Sequence, residues 1–115
     1  MKADTTFETI SITHAPFNPY YAESFGLIFK ISYHLERADN PRLEIFRDDA
    51  EARQKEWHIY GTLLDGEDRR FAAVSFSAAG EERDFQILSS HYRVVFDGFS
   101  SEAEPVYTFR VMPVL

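Results

Sequence analysis

The sequence predicts an all-β fold: an antiparallel two-sheet sandwich of seven or eight strands, with at most one short helix near 48–56. Three observations carry this expectation. From Phe25 to Glu36 every second residue is large and apolar: Phe25, Leu27, Phe29, Ile31, Tyr33 and Leu35. That period of two gathers side chains on one face of a strand, whereas a helix would scatter them. Turn-forming residues recur about every 8–12 residues, the spacing of sandwiches and small barrels. Aromatic residues make up 16% of the chain, with eleven Phe, six Tyr and one Trp. Rings that each bury about 150–250 Å² suit a thin core between two sheets.

The elements follow in order. A first strand is expected over about 7–14, with Ile10 and Ile12 on one face. The run A-P-F-N-P-Y-Y-A-E-S at 15–24 holds two prolines and an asparagine, which exclude regular structure there. The strand 25–36 comes next, with Gly26 marking a bulge or bend, and A-D-N-P at 38–41 ends it. Leu43–Arg47 reads as a short strand.

In D-D-A-E-A-R-Q-K-E, Asp48 can cap a helix with Glu51 as its capping-box partner. Asp49–Arg53 and Glu51–Lys55 are i,i+4 pairs in the favourable order. The segment has no apolar stripe, so it amounts to two solvated turns. Trp57–Leu64 reads as a strand, D-G-E-D-R at 65–69 as a hairpin turn, and Arg70–Ala78 as its partner. Ala72, Val74 and Phe76 are the core-facing set of that partner. A-A-G-E-E-R turns the chain again, and strands over 84–88, 91–97 and 106–114 complete the count.

Leu88, Tyr92, Val94 and Phe96, with Pro105 before the last strand, resemble the late strands of immunoglobulin and fibronectin type III domains. In such domains a tyrosine anchors a corner through its hydroxyl. The paired cysteines and the early tryptophan of that pattern are missing. The resemblance implies a sandwich of this type and carries no function.

Composition bounds the rest. A chain of 115 residues, 44% apolar and 27% charged, is expected to form one domain over 1–115 and to bury roughly 65% of its unfolded surface. Without cysteine there is no disulfide, thiolate nucleophile or Cys-ligated metal. A net charge of −7 with no basic run argues against nucleic acid as a partner. Neither a signal-peptide core nor a long apolar run is present, so a cytoplasmic location without membrane contact is expected. Residues 36–70 hold ten acidic and seven basic side chains, while none lies between Glu8 and Glu23.

The motifs for chemistry are sparse. His14, His34, His58 and His91 show no H-x-H or H-E-x-x-H spacing, so neither a metal site nor a histidine base is expected. Ser89, Ser90 and His91 with Asp97 supply the residue types of a triad without a G-x-S-x-G elbow. The acidic turns lack the twelve-residue calcium-loop pattern. No catalytic residue and no cofactor is therefore expected.

The segment Ala15–Ala22 stands out instead. Phe17, Tyr20 and Tyr21 flank Pro16 and Pro19 inside the charge-free run. Rigid aromatics in a loop give large contact area with little entropy to lose. The expected function is a non-catalytic protein-binding module, acting through this aromatic loop and a sheet edge, with another protein or a second copy as partner. The rival expectation is a carbohydrate-binding module in which Trp57, Tyr60 or Tyr21 stacks on a sugar.

Overall fold

The structure, a computed structural model, describes residues 6–13, 21–31, 39–47, 70–87, 89–100 and 105–114. These form eight strands: β1 (Glu8–Thr13), β2 (Tyr21–Ser24), β3 (Leu27–Ile31), β4 (Arg42–Arg47), β5 (Arg70–Ser75), β6 (Glu82–Ile87), β7 (Ser90–Phe99) and β8 (Val106–Pro113). They lie in two antiparallel four-stranded sheets, ordered β1-β8-β7-β6 and β2-β3-β4-β5. The expected all-β sandwich is therefore the fold. Among the described residues there is no helix, so none is long and apolar enough to cross a membrane. The helix near 48–56, the strand over 57–64 and the turn at 65–69 lie outside the described residues.

The connectivity departs from the immunoglobulin pattern. Immunoglobulin strands divide as ABED against CFG, so the chain repeatedly changes sheets. Here the described strands form a meander that changes sheets between β1 and β2 and again between β5 and β6, and β8 returns to pair with β1. Short turns enforce this order. Ser24 pairs with Leu27, and Ile87 pairs with Ser90. Two-residue loops of that kind join hydrogen-bonded neighbours and do not cross the ~10 Å between stacked sheets.

Two sequence expectations shift at the same place. Tyr21–Ser24 is a strand, although the prolines were expected to bar regular structure to residue 24. Proline removes a ladder donor only where it sits, and the strand begins after Pro19. The long strand does not run from residue 25 either. Phe25 and Gly26 have φ of +55° and +72° and form the tip of the β2–β3 hairpin. Positive φ at both central residues is the type I′ geometry, whose twist suits a two-residue hairpin.

The core fills the space between the sheets. One sheet contributes Ile10 and Ile12, Phe85, Val94 and Phe96, and Tyr107, Phe109 and Val111; the other contributes Leu27, Phe29, Ile31, Leu43, Ile45 and Phe76. Rings bridge the layers: Phe29 meets Phe85 edge-on at 6.2 Å, and Phe76 lies 5.6 Å from Phe96 and 5.7 Å from Phe109. Such edge-on and tilted contacts suit aromatic quadrupoles.

The outer faces differ from each other. On the β1–β8–β7–β6 sheet, Arg93 forms two hydrogen bonds to Asp84 and Arg110 forms two to Asp97, all exposed. On the other sheet Ile28, Lys30 and Phe46 are buried, so β3 is covered on both faces. Alternation tells which side chains share a face; it does not tell whether that face is covered.

Candidate functional site

The meander gives the sandwich two distinct ends. Strand β1 runs from Glu8, opposite Val111, to Thr13, opposite Val106. Strand β7 starts beside the end of β8, with Tyr92 opposite Pro113, and finishes at Phe99 opposite Tyr107. In the other sheet, β2 begins at Tyr21 and ends at the Phe25–Gly26 tip. That tip shares a cleft with Ser89, Ser90 and Pro113. Glu8 and Ser24 meet at the same end, where the Ser24 hydroxyl donates to the Glu8 carboxylate. Thr13, Tyr21 and Phe99 consequently belong to the opposite end.

At the Tyr21 end, aromatic surface reaches solvent. Tyr21 opens β2, the last of the described strands in its sheet, and is 40% exposed. Phe99 is 37% exposed and stacks on buried Tyr107 at 5.6 Å. A bulge between Phe96 and Gly98 turns Phe99 onto the face of Tyr107, and Gly98 permits it with φ of +113°. Burial, with the Asp39 carboxylate nearby, pushes the Tyr107 phenol up; its ionised form is excluded at neutral pH.

The hairpin end carries a cleft of about 390 Å³, lined by Phe25, Ser89, Ser90, His91, Tyr92 and Pro113. The His91 carbonyl accepts a hydrogen bond from the Val114 amide at 2.9 Å, extending the β7–β8 ladder beneath the cleft. Tyr92 is half-buried and stacks on Phe85 at 5.3 Å. Phe25 also packs against the core, and that burial offsets the strain of positive φ in a bulky residue.

Among the binding residues singled out by sequence, Tyr21 is described, and its ring is exposed. Phe17, Tyr20, Trp57, Tyr60, His14, His34 and His58 lie outside the described residues. The triad residue types do not converge. Both Asp97 oxygens accept from Arg110, at 2.8 and 3.0 Å, and Asp97 lies six positions along β7 from His91, ~20 Å at strand rise. Among the described residues no three His, Asp or Glu side chains gather to hold a metal ion. Phe99 escaped the sequence reading; Gly98, which breaks the alternation of β7 just before it, is the signal that could have exposed it.

Comparison with protein-family models, with curated proteins and with solved structures returns no match for this chain.

Proposed function

We propose that this chain is a non-catalytic binding module that holds another protein at the Tyr21 end of the sandwich. One observation carries the reading: Tyr21 presents an exposed ring on the outermost described strand of its sheet, at the end where Phe99 is also exposed. Exposed aromatics of this kind serve as anchors because they bury large area while fixing few torsions. The charge-free run from Thr9 to Ala22 includes Tyr21, so this segment itself brings no formal charge into the contact. The acidic and basic side chains of 36–70 would then steer the partner and select against wrong ones.

A photo-crosslinking residue placed at Tyr21 tests the reading, with the same residue at exposed Ser11 as control. A defined adduct is expected at position 21 and not at 11. Triple substitution of Phe17, Tyr20 and Tyr21 to Ala should reduce partner affinity while leaving the circular dichroism of the domain unchanged. Equal adduct patterns at both positions, or unchanged affinity of the triple variant, would sink the reading.

A further inference from the structure

We infer that the outer face of the β1–β8–β7–β6 sheet binds a neutral oligosaccharide, stacked on Phe7 and hydrogen-bonded to Arg93, Arg110 and their carboxylate partners. Tyr21 lies in the other sheet, so this site is independent of the protein-binding reading. It also uses none of Trp57, Tyr60 and Tyr21, the rings first expected to meet a sugar.

Parity and register assemble the face. Ile10 and Ile12 turn into the core, which leaves Thr9 and Ser11 outward and exposed, and Phe7 continues their parity. Arg110 lies opposite Thr9 on one side and Val95 on the other, while Arg93 lies opposite Asp84 and Met112. The two arginines therefore stand diagonally across the β7–β8 ladder, ~7–8 Å apart. Phe7 is 48% exposed, and the Arg110 guanidinium lies 5.9 Å from its ring centre. That cation–π contact occupies one face of the ring, and the exposed remainder is open to a ligand.

Hydrogen-bonding capacity points to a polyol. A guanidinium has five N–H donors. Arg93 gives its Nε and one Nη2 donor to Asp84, and Arg110 gives the same two to Asp97. Among the described residues nothing accepts from either Nη1. Each carboxylate oxygen bonded in this way keeps a second lone pair. Donors and acceptors thus stand side by side, with the hydroxyls of Thr9 and Ser11 on the same face. Vicinal sugar hydroxyls both donate and accept, so they match this grid, and hydrogen bonds to charged groups are the stronger kind. Two bonds already fix each fork, so a ligand orders few side chains when it binds.

Charge selects among ligand classes. An anion would meet Glu82, Asp84 and Asp97, and a cation would meet Arg93 and Arg110. A neutral ligand meets no such opposition. Protein interfaces keep charge out of their centres and draw affinity from buried anchors. Here the centre of the face is two ion pairs, with Phe7 to one side. Burying those pairs under protein costs desolvation, whereas sugar hydroxyls replace the water hydrogen bonds that they displace.

The test titrates the full chain with cellohexaose, maltohexaose and mannohexaose, and with hexagalacturonate as the charged control. At least one neutral probe should shift the amide resonances of Thr9, Arg93 and Arg110 saturably by about 10 mM, the weak range of a shallow site. Hexagalacturonate should leave them unmoved. Phe7→Ala should weaken binding about threefold to tenfold, and Phe7→Trp should bind at least as tightly as the parent chain. Arg110→Lys keeps the charge and loses the planar donors, so it too should weaken binding about threefold to tenfold. Circular dichroism of each variant should match the parent chain.

Failure of all three neutral probes to move those resonances overturns the inference. So does equal binding of hexagalacturonate, since the face then does not select neutral ligands. Saccharide binding that survives Phe7→Ala and Arg110→Lys unchanged overturns it by placing the site elsewhere. A protein held through Phe7 and Arg110, with no saccharide competing, overturns it by assigning the face to protein.

Discussion

Arg83 ties the two sheets together through Ser75: its Nε, on β6, donates to the Ser75 carbonyl on β5 at 3.0 Å. The same guanidinium lies 5.5 Å from the centre of the Phe76 ring and 3.0 Å from the Glu81 carboxylate. The Ser24–Glu8 hydrogen bond links β2 to β1 at the other seam. Neither seam has a backbone ladder between its two strands, so side chains carry the connection. Arg83→Met keeps the aliphatic stem and removes the hydrogen bonds. It should cost about 1 kcal/mol, since the pair is partly exposed, and lower Tm by about 4–8 °C. Arg83→Lys, lacking the fork, should recover little of that loss. Differential scanning calorimetry decides it, and an unchanged Tm for Arg83→Met would remove the seam from the account.

Backbone conformation, not crowding, should govern the glycine at the β7 bulge. Among the described residues a Cβ on Gly98 would meet only the Ala79 Cβ, at 3.9 Å, yet φ is +113°. Gly98→Ala should destabilise by about 1–3 kcal/mol in urea titration. A neutral result would mean that the bulge relaxes or is absent.

Ring position separates the buried core from the exposed rings. Phe109 is fully buried among Phe76 and Phe96, so Phe109→Ala should cost about 3–5 kcal/mol. Phe99, exposed at 37%, should cost about 1 kcal/mol or less as Ala, mainly its stacking on Tyr107. Chemical denaturation of the two variants checks the contrast, and equal losses would show that Phe99 belongs to the core.

Acid should weaken the fold through named carboxylates. The Ser77 amide, then the backbone of Ala78 and the Arg83 guanidinium, hold Glu81 below its ordinary 4.5. The hydrogen bonds and charge of Arg93 hold Asp84 below its ordinary 3.8. A carboxyl with a depressed folded-state pKa stabilises above its unfolded value, and that contribution disappears as pH falls through the folded value. Tm should therefore decline as pH drops below about 4.5, and Glu81→Gln should flatten the decline. A Tm profile in which Glu81→Gln loses as much as the parent chain would contradict the assignment.

The strands were legible in sequence wherever one face is buried and the other is wet. Ile10 and Ile12 in β1 and Phe85 and Ile87 in β6 alternate with exposed or half-buried neighbours, because the pleat sorts side chains by parity. The β2–β3 hairpin was less legible. Phe25 continues the apolar parity of β3, and the positive φ that ends the strand there is a choice that phenylalanine rarely makes. Burial of Ile28 and Lys30 was not legible at all, since it depends on what lies over the sheet and not on β3 itself. Strand order also escaped, because alternation is the same in a meander and in a Greek key.

Of the candidate site, Tyr21 was singled out from its neighbours in sequence, and its exposure follows from its place at the start of an outer strand. The cleft was not found. Ser89, Ser90 and His91 were read for nucleophile chemistry, whereas their partners across the cleft, Phe25 and Pro113, come from strands distant in sequence.

The return of the last strand to the first underlies every placement of the two ends, and cross-strand backbone NOEs measure it directly. Contacts are expected between Ile10 and Phe109, between Phe85 and Tyr92, and between Leu43 and Val74, the partners in the β1–β8, β6–β7 and β4–β5 ladders. Backbone contacts of β1 with β4 or β5 in place of β8 would contradict the meander and the opposition of Tyr21 to the cleft.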